Sequence, residues 1–141
     1  MRAKTNYSER PAAYEVRHGD AGESVVLFRE NITEIETEGG VSYEVDEYTL
    51  VVRSSDDLEA RVAANLPAWK EHAIAEDYAA CAKAVRAERD SLIAATDYLM
   101  ESDYPITPER RQAVAAYRQA LRDVPQQSGF PYDVVFPEKS F

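Results

Sequence analysis

An α+β fold is what this sequence predicts: an N-terminal antiparallel β-meander, then a three-helix region containing a helical hairpin, then an extended C-terminal tail. Three observations carry that prediction. Apolar and polar residues alternate through much of the stretch from Tyr14 to Val52, apolar residues recur at helical spacing from Leu58, and beyond Pro125 prolines and aromatics interrupt both periods. The boundary falls between residues 54 and 55, giving a β lobe over 1–54 and a helical lobe with its tail over 55–141.

The first strand is read at Tyr14-Glu15-Val16-Arg17, and Gly19-Asp20-Ala21-Gly22 is a glycine-bracketed turn into Val25-Val26-Leu27-Phe28. Asn31 to Thr37 leads to Gly39-Gly40, a two-residue turn suited to positive φ, and Val41 begins the return strand. Four strands in a meander are implied. Within the last of them Val41, Tyr43 and Val45 occupy odd positions whereas Tyr48, Leu50 and Val52 occupy even ones, so a bulge is expected near Asp46-Glu47.

Ser55, Asp56 and Asp57 supply cap and first-turn acids for a helix whose stripe is Leu58, Val62, Leu66, Trp69 and Ala73. A second stripe, Ile74, Tyr78, Cys81, Val85, Leu92 and Leu99, is one residue out of step, with Ala95 and Thr96 filling the turn before Leu99. One straight helix over both stripes would be about 70 Å long at a 1.5 Å rise per residue, too long for a domain of this size, so a break is placed near residues 73–76. Pro67 either kinks the first helix or starts a new one capped by Asn65 or Leu66. After the turn Ser102-Asp103-Tyr104-Pro105, Thr107-Pro108-Glu109 opens a third helix with an N-cap and a proline at its first position. Val114, Tyr117 and Leu121 are its apolar stripe, Pro125 closes it, and the short loop before it favours an antiparallel hairpin. The tail from Gln126 to Phe141 is extended. Its Tyr132-Asp133-Val134-Val135-Phe136 is either one short strand or a segment lying along the hairpin.

Composition narrows the functional classes. With 45% hydrophobic and 30% charged residues, the 141-residue chain can build its core without staples. Its single cysteine, Cys81, has no bridging partner and no metal-ligand spacing around it, so it is read as a small buried hydrophobe and no cofactor is expected. The short basic N-terminus lacks the apolar run of a secretory signal, and no stretch approaches the roughly 18 apolar residues of a spanning helix. A cytoplasmic protein without a membrane partner is expected, and the glycosylation pattern Asn31-Ile32-Thr33 is then coincidental. A net charge of -10 and a pI near 4.7 argue against a nucleic-acid partner and are read as a solvated surface, with a basic partner as the alternative.

No arrangement of nucleophile, base or phosphate loop supports an enzyme. His18 and His72 lack an oriented partner at catalytic spacing and are read as ordinary surface or helix-end residues, and spacing alone makes no acid–base pair of the many carboxylates. Two clusters are more informative. Arg89, Asp90, Asp97, Arg118, Arg122 and Asp123 can form an ion-pair network across the second and third helices, with Arg118 and Arg122 facing Asp90 or Asp97. The same arginines are alternatively anchors for a partner's carboxylates. Tyr98, Tyr104, Tyr117, Phe130, Tyr132 and Phe136 either cap the hairpin or leave a surplus of exposed rings as a protein-binding patch.

A family resemblance runs through these clusters. The run Arg89-Asp90-Ser91-Leu92-Ile93-Ala94-Ala95-Thr96-Asp97-Tyr98, then Asp103-Tyr104-Pro105, Tyr117-Arg118-Gln119-Ala120-Leu121-Arg122-Asp123-Val124-Pro125, Gly129-Phe130-Pro131 and Val135-Phe136-Pro137 resembles the C-terminal module of phage tail assembly chaperones, including tail-fibre assembly proteins. It covers about 86–137, with Phe136 where the family often has tryptophan. The N-terminal part resembles small tail-region proteins of phages and prophages from Gram-positive hosts, through Arg29-Glu30-Asn31-Ile32 and Asp46-Glu47-Tyr48-Thr49-Leu50. The resemblance implies a non-enzymatic role in viral assembly: binding a fibre or other tail protein in the host cytoplasm and assisting its folding, trimerisation or attachment. Tyr98, Tyr104, Arg118, Arg122, Phe130 and Phe136 are the expected contact residues, and self-association is left open. A structural tail component retained in the particle, or a small protein-binding domain, is the competing expectation.

Overall fold

The computed structural model describes residues 3–19 and 22–141. It is α+β, a four-stranded antiparallel sheet followed by three helices. Two compact units are formed, Met1–Asp77 and Tyr78–Phe141.

The sheet is built from β1 (Ala3–Tyr7), β2 (Tyr14–His18), β3 (Glu23–Thr37) and β4 (Gly40–Arg53) in the order β1-β4-β3-β2. Two expectations are corrected here. The segments 25–28 and 31–37 are one strand, and the fourth strand is β1, which pairs with the far edge of β4 from Ala3↔Glu47 to Tyr7↔Tyr43. Ala3-Lys4-Thr5-Asn6-Tyr7 has little apolar alternation and is largely exposed, so only its pairing marks it as a strand. The turn expected at 19–22 has its central pair, Asp20-Ala21, outside the described residues, as are Met1 and Arg2 of the basic N-terminus.

The bulge exists, on the other strand. Glu30↔Asp46 and Thr33↔Glu44 leave Asn31 and Ile32 together opposite Val45, so the extra residue lies on β3. Asn31 takes the left-handed conformation at φ 50°, which asparagine tolerates better than most residues, and its Nδ2 donates to Asp46 Oδ2 at 2.7 Å. β4 stays straight there because it is also in register with β1. The change of phase along β4 therefore records burial on both faces: Tyr48 and Leu50 join the core, while Val45, 1% exposed, lies on the reverse face. The hairpin loop is Glu38-Gly39, one residue earlier than expected, closed by Thr37 opposite Gly40, whose φ of 120° suits glycine.

Val26, Phe28, Tyr48 and Leu50 present one sheet face to Leu58 and Val62 of α1 (Leu58–Ala64) and to Ala73 of α2 (Leu66–Ala94). Tyr14, Val16, Leu66, Trp69 and Ile74 pack around them. The helix break falls at Asn65 and not at 73–76. Asn65 N–H closes α1 on the Val62 carbonyl, and the Asn65 carbonyl accepts from Trp69 N–H as the first bond of α2. Pro67 thus lies in a first turn, where a missing N–H costs nothing. The out-of-step stripe needs no break, because Ala73 and Ile74 pack in the first unit's core whereas Cys81 and Ala82 are buried in the second unit.

The second unit continues from α2 through a turn at Ala95-Thr96, a 3-10 turn over Asp97–Met100, and α3 (Pro108–Asp123). Thr107 caps α3 as expected, its hydroxyl accepting from Arg110 N–H at 3.3 Å with Pro108 in the first turn. Leu99, Val114, Tyr117, Leu121 and Val124 are the buried apolar residues of this hairpin. A short 3-10 turn over Val124–Gln126 follows, and the tail beyond contains no strand.

Candidate functional site

The link between α2 and α3 is where the second unit presents aromatic surface. Main-chain carbonyls at a helix end and in the link beyond it keep acceptor capacity, and here two arginines of α3 donate to them. Arg118 Nη1 donates to the Ile93 carbonyl at 2.9 Å, Thr96 Oγ1 at 2.9 Å and Asp97 Oδ1 at 2.7 Å, and its side chain is only 13% exposed. Arg111 donates to the Met100 and Glu101 carbonyls at 3.0 Å each and to the Tyr104 carbonyl at 3.4 Å. With its backbone held from within, the link directs Tyr98 and Tyr104 outward. Their rings meet edge to face at 5.1 Å and remain 50% and 38% exposed.

The tail supplies the second group of rings. Gly129 accepts from Tyr132 N–H and Asp133 N–H in a turn so tight that any Cβ at Gly129 would lie 2.0 Å from the Asp133 carbonyl oxygen. Gln127 then fastens the following segment with two bonds, Nε2 donating to the Val135 carbonyl at 2.7 Å and Oε1 accepting from Val135 N–H at 2.8 Å. Phe130 and Tyr132 pack edge-on against Tyr78 of α2, and the Arg86 guanidinium lies 5.1 Å from the Phe130 ring centre. Phe130 and Phe136 are half-buried, whereas Val135 is exposed.

The expected polar network is distributed differently in space. Arg118 reaches Asp97, as drawn, but Arg89 pairs with its own neighbour Asp90 through Nε and Nη2. Asp123 accepts from the Gln119 and Gln126 amides. Arg122 is exposed and forms no side-chain bond or ion pair among the described residues. Arg111, Gln127 and Thr96 were missed by sequence reasoning. Arg111 had a legible signal, since a helix end followed by a short link calls for a donor from the next helix's first turns. Gln127 had none.

The first unit carries its own polar cluster on the reverse face of the sheet. Arg29, with a side chain 2% exposed, pairs with Glu15 at 2.6 Å and Glu47 at 2.9 Å, and donates to the Tyr7 hydroxyl and the Ala12 carbonyl. It thereby ties the 8–13 connection, which joins strands on opposite edges, to the middle of the sheet. The Arg17 and Arg29 guanidiniums hold the Glu15 carboxyl down at about 2. Burial, with the hydrogen bond to Glu47, pushes the Tyr7 phenol up. Arg29 and Glu47 come from two stretches far apart in sequence, 29–32 and 46–50, and the fold brings them into contact. His18 Nδ1 lies 3.2 Å from Ser24 Oγ, which bonds Ser54 Oγ at 2.7 Å, but Ser24 is fully buried and offers no accessible nucleophile. Among the described residues no group of three His, Cys, Asp or Glu side chains could hold a metal ion, and no helix is long and apolar enough to cross a membrane.

What the second unit provides is a braced aromatic link and a pinned aromatic tail, both features of recognition surfaces. The sequence comparison falls on the same stretch. Residues 82–139 match the phage tail assembly chaperone protein family. The matched segment contains the α2–α3 link, both bracing arginines and the Gln127–Gly129 tail clasp, and it includes Tyr98, Tyr104, Arg118, Arg122, Phe130 and Phe136. It supports a role in tail assembly. No curated protein and no solved structure matches the chain.

Proposed function

We propose that this protein is a non-enzymatic tail-fibre assembly chaperone of a phage or prophage, acting in the host cytoplasm. It binds a newly made fibre or other tail protein through the α2–α3 link and the tail, covers its adhesive surface, and releases it after trimerisation or attachment. The observation that carries this reading is the chaperone-family match over 82–139. The exposed Tyr98–Tyr104 pair, together with Val135, supplies the apolar contact that such binding needs. Phe130 and Phe136 contribute through their half-exposed surfaces, and Arg118 contributes by holding the link in shape.

Co-expression with the tail proteins encoded beside it tests this reading. A stable complex with one of them, and more soluble trimer in its presence, is the expected result; no complex with any of them refutes the proposal. Mass spectrometry of purified particles separates a chaperone, absent or substoichiometric, from a structural tail component present in fixed copy number.

A further inference from the structure

The charge presented at the α2–α3 link is opposite to what its arginines suggest. Arg111 and Arg118 are turned onto main-chain carbonyls, and Arg118 also pairs with Asp97; Arg111 keeps its charge, so the three carboxylates Asp97, Glu101 and Asp103 exceed the two guanidiniums by one. The carboxylates of Glu101 and Asp103 flank the tyrosines, are exposed, and form no ion pair among the described residues. Tyr98, Met100 and Tyr104 are 50%, 37% and 38% exposed around them. The two rings meet edge to face, and each tyrosine keeps a substantial exposed surface beside that contact. Exposed tyrosine surface beside unpaired carboxylates attracts cations: the ring quadrupole favours an ammonium or guanidinium, the carboxylates add Coulomb attraction, and a partner carboxylate would be repelled.

We infer that the link docks a lysine- or arginine-bearing segment of the client, its cationic side chain lying over Tyr98 or Tyr104 and its charge answered by Glu101 and Asp103. This rests on the assembly role proposed above and specifies the chemistry of the partner at that site. Arg111 acts as a positioning residue, because its three carbonyl bonds fix the backbone that carries Met100, Glu101 and Tyr104.

Amide spectra of the isotope-labelled full chain, titrated with a synthetic peptide alternating lysine and apolar residues and with its glutamate counterpart, test the inference. The lysine peptide should shift residues 97–104 and the glutamate peptide should not. Glu101→Gln with Asp103→Asn, both exposed side chains, should weaken binding of the lysine peptide about tenfold with the rest of the spectrum unchanged, and Tyr98→Ala should weaken it further. The hairpin tip, with Glu34, Glu36 and Glu38, is a built-in control for non-specific attraction to acidic surface. Shifts centred on that tip instead of 97–104, equal binding of the glutamate peptide, or wild-type binding by the Gln/Asn variant would overturn the inference. A failed co-purification with tail proteins refutes the assembly role instead, so the two failures are distinguishable.

Discussion

Arginine stabilises the two units in different ways. In the first, Arg29 is surrounded by Glu15, Glu47 and the Tyr7 hydroxyl, so a buried charge is answered by charges and the cluster is closed to further partners. In the second, Arg111 and Arg118 donate mainly to main-chain carbonyls, which fixes a backbone path and leaves nearby carboxylates unanswered. A charge-matched cluster seals a surface, whereas a carbonyl brace shapes one. The acidity of the chain is likewise uneven, since from Glu30 to Val52 there are seven carboxylates and no lysine or arginine.

The largest expected effect tests the closed cluster. Arg29→Leu strands two carboxylates beside a buried face, and denaturant unfolding should show a loss of about 3 kcal/mol. A loss below about 1 kcal/mol would mean that the cluster is solvated and the contrast with the second unit is false. Next in size is Gly129→Ala, which places a Cβ against the Asp133 carbonyl and should cost about 2 kcal/mol while speeding hydrogen exchange over 130–136. Unchanged exchange there would show that the tail is not held by this turn.

Arg118→Met removes the shared donor of Ile93, Thr96 and Asp97 and should cost about 1–2 kcal/mol. Arg118→Lys should recover only part of it, because the three bonds come from Nη1 and the shorter lysine stem does not carry its ammonium to that position. Full recovery would reduce the brace to a simple ion pair. A pH titration sharpens the first unit's side. The Glu15 carboxyl is lowered from 4.5 to about 2, chiefly by Arg17 and then by Arg29, so its contribution is present above pH 4.5 and is lost as pH falls toward 2. Glu15→Gln should flatten the decline of stability across that window, and an unaltered slope would assign the acid sensitivity elsewhere. The smallest effect belongs to Arg122→Ala, which should leave the unfolding midpoint unchanged, since the exposed side chain braces nothing.

Legibility differed between the two regions for physical reasons. Helix α3 was readable in full because its signals are local: Thr107 and Pro108 start it, and a 3.6-residue stripe fills it. Strand β1 was not, because an exposed edge strand is defined by its hydrogen-bonded neighbour and not by its own pattern. The bulge was sensed through the phase change in β4 but assigned to the wrong strand, since either strand of a pair can hold the extra residue. At the candidate site, Tyr98 and Tyr104 were identified from sequence, whereas the inward turn of Arg118 and the role of Arg111 depend on carbonyls that no side-chain pattern encodes.

The sequence by itself determined the α+β class, the cap and stripe of α3, the exclusion of a spanning helix, and the C-terminal family motifs, because each is written in residues close together along the chain. Only the tertiary structure decided which side of each polar group faces outward. It buried Arg29 among carboxylates, turned Arg118 onto a helix end and Arg111 onto the link after it, and left Glu101 and Asp103 exposed near two partly exposed tyrosines. Those choices depend on partners 7 to 25 residues away in sequence. A side chain's charge is fixed by its type, but what that charge is available to do is fixed by what already neutralises it.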